Sequence, residues 1–412
     1  MRKVAFGVSL AALLIASTLT PAEEPAGILG TLSVEAGKYE RTDVPVGVDL
    51  PSSINAFRPL RLVEVKDGEK VPTAAQVEPG KPPRLWWVLS SKTPAGATRR
   101  YELVYGEPVH AASVEMDLGP ERLDVSLGGQ RVFSYNHAHV IPPKSIKPVF
   151  IRSGYIHPLF SPSGKLLTED MPADHHHHKG IWFPWTKTKF EGREIDFWNL
   201  GDKTGTVQFA GFESIESGPV YGRFKALHEF VDLTQPNGGK VALNEIWDVR
   251  LWATGGPKAG LWIFDLTSTH RCATESPLLL LEYRYGGLGF RGAKEWDKDN
   301  YLLLTSEGKT KKDGHGTRAR WCAQSGAIDG KWSTVVIFCH PTNERFPENM
   351  RIWNEGGAFF SFSPVQAGDW TFKPGETHVF RYRFYIHEGQ LDKDIAERAW
   401  ADYAEPPQVK LN

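Results

Sequence analysis

Cysteine is scarce. The 412-residue chain has three, Cys272, Cys322 and Cys339. An odd, small number makes no disulfide framework, and none of the three sits in a Cys-x-x-Cys pair of the kind that holds zinc. Net charge is almost absent as well: 48 Lys and Arg against 49 Asp and Glu leave −1. Phosphate neutralisation needs a basic excess, so this balance argues against a charge-driven nucleic-acid binder and against a polybasic membrane binder. Beyond the N-terminus no run of 18 apolar residues occurs, so no candidate membrane helix remains there. P-loop and GxSxG motifs are missing, which removes two common routes to phosphoryl and acyl transfer.

What the chain has is 40 Gly, 29 Pro and 14 Trp. Many turns and many aromatics suit β-sandwiches better than helical bundles. Arg2 and Lys3 precede an apolar run from Val4 to Ala16, and Thr20-Pro21-Ala22 supplies small residues for cleavage. The run is too short to span a bilayer, so residues 1–22 read as a secretory signal peptide and the mature protein is expected to be secreted or periplasmic.

Residues 28–110 read as a small N-terminal β domain, with strands expected at Leu60–Val65, Leu85–Leu89 and Arg100–Tyr105 and a linker near Pro108–Ser113. Residues 114–405 read as the main domain, a large antiparallel β-supersandwich. A long hairpin is expected between Phe224 and Leu251 around Asn237-Gly238, a pair that tolerates the positive φ of a tight turn. Further strands are expected at Trp262–Ser268, Trp332–Cys339, Ala358–Ser363 and Val379–His387. One helix is expected, Leu391–Tyr403, with Ile395, Ala396, Ala399 and Trp400 on one side and Pro406-Pro407 after it.

The chemistry is concentrated. Of 14 histidines, seven lie between positions 137 and 178. In extended backbone, residues i and i+2 share a face. His137 and His139 would then stand together, and His175 would stand with His177, while Asp174, His176 and His178 faced the other way. A metal would draw three or four ligands from His137, His139, His175, His177 and His178. Without metal, a neutral imidazole beside Asp174 is a general acid or base near pH 7. Trp182, Phe183, Trp185, Phe197 and Trp198 follow, and an aromatic ring packs on the C–H face of a sugar, although any single Trp is more commonly core. Glu194 and Asp196 form a weaker paired-carboxylate signal. In Tyr283–Arg291, three glycines allow close backbone approach, and Arg291 offers a fork for a carboxylate or hydroxyls. His340 and Asn343, at a strand end, are further candidates for a pocket mouth.

At these residues the chain resembles a known family. Tyr135-Asn136-His137-Ala138-His139, the run from Arg152 to Gly164, Asp174–Phe183, Tyr285–Arg291, His340-Pro341-Thr342-Asn343 and Tyr382–Gly389 together resemble the secreted PmoA-like proteins of environmental bacteria, over about residues 115–390. That family usually shows Asp-His-Pro-His-His-Arg-Gly. Asp174, His175, His177, His178 and Gly180 match, His176 stands where Pro is common, and Lys179 stands where Arg is common. The label implies a methane mono-oxygenase subunit, an integral membrane protein, yet no spanning run follows the leader here. The strand pattern is similar to that of galactose-mutarotase-like sandwiches, whose enzymes act on sugars with His and carboxylate pairs.

The expectation is therefore a secreted carbohydrate-active enzyme, an epimerase, lyase or hydrolase. His137, His139, Asp174, His175, His177 and His178 would do the chemistry. Lys179, Trp182, Tyr285, Arg291, His340 and Asn343 would bind a small-molecule or glycan substrate. The alternatives are an oxidoreductase built on a divalent metal and a non-catalytic sugar binder. No nucleic acid and no membrane insertion after signal cleavage are expected.

Overall fold

The computed structural model describes residues 27–109, 113–235, 239–255 and 259–412. The expected leader, part of the expected linker and the expected turn at Asn237-Gly238 lie outside them. Among the described residues the protein is mostly β, with several antiparallel sheets, one C-terminal helix and no closed barrel. Among the described residues no helix is long and apolar enough to cross a membrane.

A five-stranded and a three-stranded sheet come first. Their strands alternate, as Arg84–Thr93 shows by burying Leu85, Trp87 and Leu89 on one face. These side chains meet Leu32, Val34, Leu62 and Leu103 in a core of their own. One strand of that sandwich comes from the far end of the chain: Gln408–Leu411 pairs with Ile28–Glu35. The N-terminal unit is thus completed by residues beyond its expected boundary.

The larger sandwich packs an eight-stranded sheet on a nine-stranded one. The expected hairpin is present as Tyr221–Asp232 and Lys240–Trp252, paired along their length. Its alternating burial is what a sheet covered on one face produces. Phe133 of the nine-stranded sheet meets Phe264 of the eight-stranded one at 5.0 Å. Polar groups also join the sheets. Tyr135 Oη lies 2.5 Å from His228 Nε2, and His228 Nδ1 lies 2.8 Å from a Glu245 oxygen that is fully buried. Such a chain of buried partners satisfies groups that would otherwise oppose folding.

The helix spans Lys393–Ala404, and the Asp392 carboxylate caps it by accepting from the backbone N–H of Asp394 and Ile395. Its Ala396, Ala399 and Trp400 join Trp86 of the first sandwich and Trp252 of the second in a third apolar cluster. All three cysteines are free.

Candidate functional site

The histidine run is not a strand. Residues 171–180 form two successive turns, in which His175 N–H donates to Pro172 O at 3.0 Å and His178 N–H to His175 O at 2.8 Å. The turns overturn the expected two-faced alternation. They bring His175, His177 and His178 together: ring centroids lie 4.6 Å apart for 175 and 178, 4.8 Å for 177 and 178, and 5.4 Å for 175 and 177. His176 points elsewhere and meets Phe150 at 5.3 Å.

Two devices set the loop. Gly180 has no room for a side chain, because an added Cβ would stand 2.5 Å from Ile156 O. The buried guanidinium of Arg291 holds the other end, donating to both Asp174 oxygens at 3.0 and 3.2 Å and to Glu169 at 3.2 Å. Arg291 is therefore a positioning residue, not the ligand fork expected from sequence. Asp174 Oδ2 lies 3.7 Å from His175 Nδ1, too far to hydrogen-bond, so the expected orienting pair acts through charge alone.

The three rings line a cavity of about 160 Å³ together with Trp198, Asn199, Arg284, Tyr285, Arg351, Trp353 and Phe359. Trp353 meets His175 edge-on at 4.2 Å, and Phe359 stacks on His178 at 4.4 Å. Trp182 lies beneath, fully buried, 5.2 Å from His178 and 5.0 Å from Trp198. It is a floor, not a wall that a ligand touches. Asn199 donates to Tyr285 Oη at 3.0 Å and is anchored by Asp196 at 2.7 Å. Asp196 also accepts from Thr186 and from the N–H of Trp198 and Asn199. Its lone pairs hold the loop, and with the exposed Glu194 it lines a separate cavity of about 240 Å³ that shares no lining residue with the histidine cavity.

Burial governs the electrostatics. His177 is pushed down to about 3, first by burial, then by His175 and Lys179. His178 falls well below its ordinary value, by burial and then by His177 and His175. His175 is lowered by burial, with Asp174 opposing. All three rings are neutral at pH 7, and Nδ1 of His175 and of His178 has no hydrogen-bond partner although buried. Among the described residues, no three His, Cys, Asp or Glu side chains converge where a metal ion could sit. The rings lie in contact, but the described residues do not supply the donor set that a divalent-metal centre, the alternative read from the histidine density, would need.

A pH effect follows. Folded His177 takes up its proton near pH 3, against about 6.5 for a free imidazole. Stability is fully present above pH 6.5 and is lost as the pH falls toward 3, by about 1.4 kcal/mol per pH unit for this ring. Urea denaturation between pH 6 and pH 4 is expected to show a shallower slope by that amount in His177→Gln. An unchanged slope would show that the ring is not held neutral.

The other expected residues lie apart. His139 lines a separate cavity of about 460 Å³ with Glu121, Arg122, His157 and Asp170. His137 is bonded to Gly119 O at 3.0 Å and packed against Phe209 and Phe212. The shared pocket expected for 137/139 and 175–178 does not form: the strand ends at Asn136, His139 and the 175/177/178 rings line different cavities, and His137 packs on Phe209 and Phe212. Lys179 has no exposed side chain; it pairs with Asp170 at 3.2 Å and supports the loop from below. His340 contacts Thr342, and the buried Asn343 ties Glu348 to the Arg381 backbone, so both fix a turn. Arg351, Trp353 and Phe359 belong to the cavity and were not singled out by sequence. They sit on strands or loops with no motif, and only tertiary packing brings them to the histidines.

A family model described as a family of unknown function, DUF6807, matches residues 122–401. The chain belongs to that family. The match contains the whole cavity of this DUF6807 protein and leaves the first sandwich's N-terminal strands outside. No curated protein matches the chain. Solved structures resemble it distantly. A glycosyl hydrolase family 38 protein from Enterococcus faecalis is 12% identical with a TM-score of 0.41, covering 93% of this chain and 47% of its own. The heparan sulfate lyase of Pedobacter heparinus is 10% identical with a TM-score of 0.34, covering 70% and 38%. A galactose mutarotase related enzyme from Lactobacillus acidophilus is 8% identical with a TM-score of 0.24, covering 67% and 97%. This DUF6807 chain spans less than half the length of the first two. Similarity at this distance concerns architecture and transfers no activity.

Proposed function

We propose that this DUF6807 protein is a secreted, PmoA-like carbohydrate-active enzyme, and that His177 moves a proton at a sugar ring. The observation that carries this reading is the neutral imidazole cluster inside an aromatic-walled cavity. A general base must be unprotonated at the working pH, and His177 is. Trp353 and Tyr285 offer faces for the apolar side of a pyranose, and the Asn199 amide and Tyr285 hydroxyl offer partners for its hydroxyls. The cavity takes about one six-membered ring, since a cavity of about 150 Å³ accepts benzene. Epimerisation, elimination and hydrolysis all need such a proton transfer.

The test is a product screen. The protein is incubated with plant and algal polysaccharides and modified monosaccharides, and new species are sought by mass spectrometry. New products from at least one glycan are expected. If no glycan is converted and none raises the melting temperature, the reading fails.

A further inference from the structure

Two arginines in the cavity have no carboxylate partner. Arg284 and Arg351 both line it, and among the described residues neither makes a side-chain hydrogen bond or ion pair. Arg284 is flanked by the rings of Tyr283 and Tyr285, each 5.7 Å from its guanidinium carbon, which orients it without neutralising it. Arg351 is lowered from its ordinary value by burial and then by the neighbouring charge of Arg284. The carboxylates near the loop are committed: Asp174 and Glu169 belong to Arg291, and Asp196 holds the Trp198–Asn199 backbone. The lining therefore carries two positive charges and no negative one.

Arg284 is exposed and Arg351 is half-buried, and two like charges lining one cavity oppose each other, so an anion between them stabilises the arrangement. The imidazoles point the same way. Neutral rings carry an N–H that can donate, and Nδ1 of His178, in a residue only 3% exposed, has no partner. Guanidinium forks and imidazole N–H groups are the donors that planar or tetrahedral oxyanions accept.

We propose that the cavity takes an acidic sugar, with a carboxylate or sulfate oxyanion held by Arg284 and Arg351 beside the imidazole cluster. This rests on the carbohydrate reading above and narrows it to anionic glycans.

Isothermal titration calorimetry tests it on the full chain with four probes: an unsulfated oligouronate, a sulfated galactan oligosaccharide, a neutral xylo-oligosaccharide and inorganic sulfate. At least one acidic oligosaccharide is expected to bind more tightly than the neutral one, with affinity falling as salt rises. Arg284→Gln and Arg351→Gln are each expected to weaken that binding about tenfold or more, with melting temperatures unchanged because neither side chain holds the fold. Oligouronate binding alone identifies a carboxylate, and sulfated galactan binding alone identifies a sulfate ester. Equal binding of neutral and acidic oligosaccharides, or arginine variants that bind as wild type, overturns the anion inference and leaves the carbohydrate reading standing. Binding of inorganic sulfate with no glycan bound overturns the acidic sugar, as does no binding by any probe, and the carbohydrate reading itself stands or falls by the product screen.

Discussion

Trp182→Ala is expected to destabilise the protein by about 3–5 kcal/mol, the range for removing a fully buried indole. The ring lies in a cluster with Tyr155, Trp198 and Phe359, all nearly unexposed. Its indole nitrogen has no partner, so the loss is one of packing and of the cavity left behind. The strand that carries it is two residues long, and its partner Gly289 makes room for the ring, with an added Cβ there only 3.0 Å from the indole. His178 rests on this floor, so ligand binding in the imidazole cavity is expected to fall with stability. Trp87→Ala is the control. Trp87 is equally buried but belongs to the first sandwich, so a similar loss in urea denaturation is expected with ligand binding intact. A loss below about 1 kcal/mol for Trp182→Ala, against that range, would mean that the aromatic floor does not support the site.

His177→Gln is expected to lower kcat/KM about 10²–10⁴-fold on any glycan the protein converts, the usual contribution of a positioned acid or base. Glutamine keeps the size and a donor but cannot carry the proton. The side chain lines the cavity and makes no hydrogen bond within the protein, so the fold should persist with the melting temperature near that of wild type. The pH–rate profile should lose the limb belonging to the base. His176→Gln, one residue away but turned onto Phe150, is expected to stay within about twofold, since it takes no part in that acid–base step. Equal kinetics for the two variants would remove His177 from the chemistry and leave a binding cavity.

Periodicity located the long strands because each covers one face of a sheet with apolar side chains. The hairpin of Tyr221–Asp232 and Lys240–Trp252 and the helix at Lys393–Ala404 were legible for that reason. The strand Gln408–Leu411 was not. Four residues, with only Val409 and Leu411 packed on the core, carry too little pattern to show that the chain returns to pair with its own beginning. The histidine loop was legible as chemistry and misleading as geometry. Alternation was the natural reading of four consecutive residues, but Gly180 and the Arg291 clamp force turns, and turns group 175, 177 and 178 while ejecting 176.

By itself the amino-acid order determined an all-β chain, the helix near its end, and imidazoles gathered within a short stretch. Those properties are local: they depend on side-chain spacing, turn residues and composition. Tertiary structure alone decided which imidazoles share a cavity, that Arg291 serves the loop rather than a ligand, and that Arg284 and Arg351 face the histidines without a counter-charge. The physical reason is that burial and pairing are properties of surroundings. Positions 177, 284 and 351 become neighbours through sheets assembled from distant segments, and no spacing along the chain encodes that meeting.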